Sequence, residues 1–298
     1  MTREEKILQY IDKSGCGIEI GPSHRPVAPK KQGFNVHIID HMDRDGLVKK
    51  YQAHGVNVDA IEEVDFVWQG EEYSQLTGKS KYYDWIIASH VIEHTPDLIT
   101  FLNNCDAVLK DGGVVSLVIP DKIFCFDHHR PITGISKIID SYYQKNRLHS
   151  PGTVAEYFLN VVNKSGCIAW DAGFEGEYNF IHSVEDAIQG MDSVLNEKTY
   201  VDVHAWCFVP HSFRLLIHDI FNLGFISFKE VGFFPTEGHE FYVTLGRGGK
   251  GSDLSRMDML AMIEAELGVN QHHVASPPFP SADTGIVQRL CRLCRSFW

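Results

Sequence analysis

The sequence predicts an α/β fold built on a doubly wound, mostly parallel sheet. Three observations predict it. Apolar runs that read as buried strands recur at residues 16–20, 36–39, 64–68, 85–89 and 114–119, with a later one at 226–231. Helical patterns separate them, most clearly at 96–109. The second run also ends in an acid, Asp40, 19 positions beyond Gly21, where α/β sheets bind ribose hydroxyls.

Taken in order, residues 3–12 read as a short helix leading into the first strand, which carries Glu19 two positions before Gly21. The turn that follows is Gly21-Pro22-Ser23-His24-Arg25-Pro26. A dinucleotide fold places glycines at G-x-G-x-x-G so that the backbone can approach a pyrophosphate. Here Gly15 and Gly17 fall before or inside the strand, and two prolines with one glycine make a poor phosphate cradle. The turn better suits a nucleoside cofactor without phosphates. In 96–109, Leu98, Phe101, Leu102, Cys105 and Val108 or Leu109 repeat at helical spacing, with Gly112-Gly113 as the expected stop.

Residues 120–203 are too long for a simple connection. They hold helical patterns at 135–145, 153–163 and 184–196, the last opened by a loose capping box from Ser183 to Asp186. An insertion at the carboxyl edge of the sheet is expected to cap the ligand site, the alternative being an excursion remote from the cleft. A helix at 210–223 carries a core stripe of Phe213, Leu216, Ile217, Ile220 and Phe221, and 226–234 pairs with 240–245 as a hairpin. After a glycine-rich linker at 246–252 come a helix at about 253–267, a loose stretch at 274–284, and an amphipathic helix at 286–298. There Ile286, Leu290, Leu293, Cys294 and Phe297 share a face beside Arg289, Arg292 and Arg295. Such a face suits a membrane surface or a protein partner such as a glycosyltransferase, and docking on its own domain is the plainer reading. The expected units are 1–119, 120–203, 204–247 and 248–298.

Composition narrows the function classes. With 298 residues, 44% hydrophobic and 22% charged, the chain can bury a full core. A net charge of −12 argues against a broad nucleic-acid footprint. Seven scattered cysteines lack zinc spacing and suggest a reducing, cytoplasmic setting; Cys291 and Cys294 form a lone pair in the tail. Neither a signal peptide nor 18 consecutive apolar residues is seen.

Glu19-Ile20-Gly21-Pro22 with Asp40, the block from Tyr83 to His94 (Y-D-W-I-I-A-S-H-V-I-E-H) and Leu109-Lys110-Asp111-Gly112-Gly113 together carry a resemblance. In order and spacing they are similar to the class I S-adenosylmethionine-dependent methyltransferases, over roughly 14–120 and again at about 204–246. The resemblance implies a seven-stranded Rossmann-like sheet with its last strand antiparallel. It also implies that Glu19, Gly21 and Pro22 line the methionine end of the cofactor and that Asp40 holds the ribose. Trp68 and Gln69 would border the adenine, and Ser89 and His90 would supply backbone under the sulfonium. Phe126-Asp127-His128-His129-Arg130-Pro131 further resembles an F-D-H-x-R-P element of methyltransferases found beside glycosyltransferases in bacterial polysaccharide clusters, as does His204 with Trp206.

A hydroxyl acceptor needs a general base, and histidine near pH 7 is the usual choice. The chain has 16 histidines. Asp127 and His128 are expected as an orienting carboxylate and base, with Arg130, His204 and Trp206 binding the acceptor; a buried polar anchor for the insertion is the competing role. His90 and His94, at i and i+4, would share a helical face beside the sulfonium, with His94 catalytic. That spacing also suits a metal, yet no third ligand is evident and none is expected; packing at the turn is the alternative, with Glu93 facing solvent. Asp121 and Lys122 read equally well as a surface pair. The leading expectation is O-methylation of a sugar or other small hydroxylated acceptor. An NAD-dependent oxidoreductase or epimerase and a non-catalytic cofactor-binding scaffold are the alternatives.

Overall fold

In the computed structural model, which describes residues 1–268, the apolar runs become strands of one sheet. In chain order they are β1 (Cys16–Ile20), β2 (Asn35–Asp40), β3 (Phe66–Val67), β4 (Tyr83–Ser89) and β5 (Leu109–Pro120). Two three-residue strands, β6 (Val162–Lys164) and β7 (Tyr178–Phe180), pair separately, and β8 (Lys229–Glu237) and β9 (Glu240–Gly246) close the main sheet as a hairpin. The order across the sheet is β3-β2-β1-β4-β5-β9-β8. β1 to β5 pair in parallel, while β9 runs antiparallel to both β5 and β8. This is the expected seven-stranded, Rossmann-like sheet.

The helices are α1 (Arg3–Leu8), α2 (Arg44–Tyr51), α3 (Tyr73–Thr77), α4 (Leu98–Val108), α5 (Ile135–Gln144), α6 (Pro151–Asn160), α7 (Val184–Asp192), α8 (Pro210–Asn222) and α9 (Arg256–Glu266). Successive residues of a strand point to opposite faces, so β4 feeds two cores. Ile86 and Ala88 pack with α4 and α8 through Leu102, Phe213 and Ile217. Trp85 and Ile87 pack with α1 through Ile7 and Ile11. β1 lies so close to β4 that a Cβ on Gly17 would stand 2.1 Å from the Trp85 ring.

Several boundaries differ from the sequence expectation. α1 stops at Leu8, and α4 ends at Val108 rather than at the glycine pair. Leu109 is already β5, and Gly112-Gly113 lies within that strand. The Ser183–Asp186 capping box forms as expected and starts α7. Residues between β5 and α8 carry α5 to α7 and the β6–β7 pair. Asp121 and Lys122, read as a surface pair, are both buried: Asp121 accepts from Thr236 Oγ1 at 2.6 Å, and Lys122 Nζ donates to the His128 carbonyl at 2.7 Å. The stretch expected to be loose at 274–284 and the helix expected at 286–298, with Cys291, Cys294 and the three arginines, lie outside the described residues.

Between β1 and β4 the strand order reverses direction, so a crevice opens at their carboxyl ends. Gly21 directly follows β1, Ser89 ends β4, and Asp40 ends the neighbouring β2.

Candidate active site

At the β1–β2 side, Gly21 has φ +60°, a left-handed conformation that favours glycine, and its N–H donates to the Ile39 carbonyl at 2.8 Å. A Cβ there would come 3.2 Å from Val91 Cγ2. Pro22 continues the turn, its carbonyl accepting from Arg25 N at 3.0 Å. Asp40 is buried; its Oδ1 accepts from the backbone N–H of His41 at 2.7 Å and contacts His41 Nδ1 at 2.6 Å. Its Oδ2 has no partner among the described residues. A buried carboxylate oxygen without a donor is costly, and a ribose hydroxyl would satisfy it. The donor set and the phosphate-free turn fit the nucleoside of S-adenosylmethionine. Beside Asp40, half-buried Trp68 donates its backbone N–H to the Asp40 carbonyl at 2.8 Å and its indole N–H to the Glu71 carbonyl at 2.7 Å. Gln69 lies next to it and is exposed.

Glu19 departs from expectation. Its two carboxylate oxygens accept from the backbone N–H groups of Val27 and Ala28, at 2.7 and 3.0 Å, and the residue is buried. Burial pushes its pKa up to about 7, although both amide bonds act the other way. Glu19 therefore shapes the loop after β1, and both its oxygens are already engaged.

The β4 end holds a denser cluster. His90 takes a left-handed φ of +54°, which turns the chain out of the strand, and Ile92–His94 form a single 3₁₀ turn before Asp97 caps α4. His90 and His94 thus do not share a helical face. His90 Nε2 bonds Glu240 Oε2 at 2.7 Å, in a group where Glu240 also accepts from Arg3 Nε at 2.6 Å and from Tyr242 OH at 2.8 Å. Ser89 Oγ accepts from Arg3 Nη2 at 2.8 Å. Burial raises the Glu240 carboxyl, but His90 and Arg3 outweigh it and hold it well below its ordinary range.

Glu93 is not solvent-facing. It is 0% exposed, and neither carboxylate oxygen has a hydrogen-bond partner among the described residues. Its backbone carbonyl accepts from Ala205 N at 2.7 Å, and Trp206 Nε1 donates to the Thr95 carbonyl at 2.7 Å. These bonds pin the returning chain against the 3₁₀ turn and bring His204 beside Glu93, with Nε2 at 4.0 Å from Oε1. His204 Nδ1 bonds Asp127 Oδ2 at 2.5 Å, and the His94 and His204 rings meet edge to face at 4.6 Å. His94 Nδ1 in turn bonds Asp202 Oδ1 at 2.8 Å. Burial opposes a proton on His94, but the Asp202 bond and the Glu93 charge outweigh it and raise its pKa.

The expected Asp127–His128 pair does not form. Asp127 orients His204, and its other oxygen accepts from Arg130 Nη1 at 2.7 Å. Burial would raise the Asp127 carboxyl, but His204 and Arg130 hold it at about 2. His128 turns away: Nδ1 donates to the Ile123 carbonyl at 2.7 Å, and the ring stacks on Tyr178 at 4.8 Å. Burial lowers its pKa. Arg130, expected to meet the acceptor, is 1% exposed and links Asp127 to Glu156 of α6 at 3.0 Å. It takes the anchoring role. Trp206 is buried and lines a cavity of about 300 Å³ with Lys137, Asp140, Gln144, Asn146 and His149.

The residues missed in the sequence are thus Glu93 as an interior acid and Asp202 as the partner of His94.

A family model described as a methyltransferase domain matches residues 3–164. No curated protein matches the chain. Solved structures similar to it include a Rhodobacter sphaeroides protein described as a Zn-dependent alcohol dehydrogenase, at 14% identity and TM-score 0.43, covering 82% of this chain and 88% of that one. The CcbJ methyltransferase from Streptomyces caelestis matches at 10% identity and TM-score 0.41, over 83% and 96% of the two chains. A SAM-dependent methyltransferase from Aquifex aeolicus matches at 11% and 0.39, over 82% and 88%. Likeness at this level bears on neither activity nor substrate.

Proposed function

The chain belongs to the methyltransferase-domain family and is an S-adenosylmethionine-dependent methyltransferase; from that premise we propose that it methylates a hydroxyl oxygen of a sugar or other small hydroxylated acceptor in polysaccharide or glycan biosynthesis. One observation carries the reading: Glu93, His94 and His204 converge at the carboxyl end of β4, each histidine already held by a carboxylate on its Nδ1. Bound S-adenosylmethionine supplies the methyl group and the thioether leaving group, so the protein's work is to place the acceptor and receive its proton.

Asp40 Oδ2 is the group for the ribose, and the Gly21 turn keeps the approach to it open. Asp127 fixes the His204 tautomer with the proton on Nδ1, which leaves Nε2 as an acceptor facing Glu93. An acceptor hydroxyl brought to His204 gives its proton to Nε2 as its oxygen takes the methyl. The polar cavity beside Trp206 suits a hydroxylated ligand, since Lys137, Asp140, Gln144 and Asn146 offer both donors and acceptors. The sugar assignment also draws support from the F-D-H-x-R-P resemblance, and the cap role of 120–203 from the contacts that Asp202 and Tyr200 make with His94.

Two measurements test the reading. Titration calorimetry should show S-adenosylhomocysteine binding and silence toward NAD; the reverse would restore the oxidoreductase alternative. Methyl-labelled S-adenosylmethionine offered with nucleotide sugars and glycan fragments should yield a methyl ether, whereas label on nitrogen or carbon would refute O-methylation.

A further inference from the structure

We propose that Glu93, His94 and His204 bind one divalent first-row transition ion whose open positions take hydroxyl oxygens of the acceptor. This deepens, and for the acceptor rests on, the O-methylation reading: with the ion held on Nε2, His204 no longer takes the hydroxyl proton, which the ion acidifies and water carries away. The three side chains each offer a ligand atom, all within 4.8 Å of one another. Two imidazoles and a carboxylate form a set that suits ions of the manganese-to-zinc series, and three protein ligands leave coordination positions open.

The independent observation is Glu93. A fully buried carboxylate with both oxygens unpartnered among the described residues is an expensive arrangement unless something positive meets it. His90 Nδ1 and His204 Nε2 lie 3.6 and 4.0 Å from Glu93 Oε1, both too far for a hydrogen bond. Ligand atoms about 2.1 Å from a tetrahedral ion sit about 3.4 Å apart, so side-chain closure of about 1.4 Å or less would complete the site.

The surroundings match as well. Histidines that hold metals almost always donate their other ring nitrogen to a carboxylate or carbonyl. Here His94 does so to Asp202 at 2.8 Å and His204 to Asp127 at 2.5 Å, leaving Nε2 of each ring as the ligand atom. The neighbouring group of His90, His239 and Glu240 makes the contrast. Its carboxylate is already met by Arg3 and Tyr242, so no further cation is called for.

Full-length protein stripped with a chelator and titrated with Co²⁺ tests this by calorimetry and by the visible absorption of bound cobalt. One equivalent per chain at micromolar affinity or better is expected. Glu93→Gln and His204→Ala should weaken it by about 100-fold or more, and the positioning change Asp202→Ala by about 10- to 100-fold. His239→Ala should keep the full equivalent. S-adenosylhomocysteine affinity, read on the same samples, shows that each variant is folded and tests the cofactor reading separately. Absence of Co²⁺, Mn²⁺ and Zn²⁺ binding below millimolar concentrations would overturn the proposal. So would binding that survives Glu93→Gln and vanishes in His239→Ala.

Discussion

Single residues at this site are chosen by what they leave unsatisfied. Asp40 uses one oxygen on His41 and keeps the other buried and free. Asp40→Ala should therefore weaken S-adenosylhomocysteine binding by about 1.5–3 kcal/mol, tenfold or more, in a calorimetric titration; an unchanged dissociation constant would remove Asp40 from the ribose. His128 and His204 separate the two views of the acceptor end. His128 is held by a backbone carbonyl and stacked on Tyr178, while His204 faces Glu93 with Asp127 behind it. His204→Ala should cut turnover by about 10²–10⁴-fold. His128→Ala should cost far less and leave cofactor affinity near normal. Equal losses in both would return His128 to the chemistry.

Between elements, buried charge replaces apolar packing at one seam. Arg130 bridges Asp127, in the segment leaving β5, to Glu156 on α6, and its guanidinium lies 5.5 Å from the Tyr157 ring centre. Removing one partner of such a pair strands a charge in the interior. Arg130→Met should lower stability by about 3–5 kcal/mol in urea unfolding, because the Asp127 carboxylate would keep His204 and the weak Cys125 Sγ contact but lose its guanidinium. A loss well under 1 kcal/mol would mean that the seam is wetter than its burial implies. The seam also sets the site, since it holds Asp127 where His204 can reach it.

Across the whole molecule, the sheet's carboxyl edge gathers charges from distant parts of the sequence, and pH reads them. Glu19 is buried and its pKa is raised from 4.5 to about 7, so the folded state holds a proton that the unfolded chain releases. The sign follows: this group's contribution is full below pH 4.5 and is lost as pH rises through about 7. Relative to Glu19→Gln, the wild type should lose on the order of 3 kcal/mol of stability between those limits, read as denaturant midpoints across pH. A wild-type-minus-variant difference that stays flat would show that the two amide bonds keep Glu19 ionised.

Much of this was legible along the chain because it is local. A continuous apolar run is buried on both faces wherever it lands, so β1, β2, β4 and β5 could be read within a few residues, and Asp40 stands at the end of its strand by counting alone. Boundaries slipped where a tertiary ladder won: Leu109 joins β4 through Tyr83, which ends α4 before its glycines. The acceptor end was legible in residue type but not in pairing. Asp127 and His128 are neighbours in sequence, yet Asp127 bonds His204, which lies 77 positions away. Glu93 shows no sign of burial until Ala205 and Trp206 close over its backbone. Sequence by itself determined the parallel strands, the turn after β1 and the residue types, since these follow from periodicity and spacing. Only the tertiary structure decided which carboxylate meets which histidine, because a hydrogen bond depends on distance in space and the insertion sets that distance.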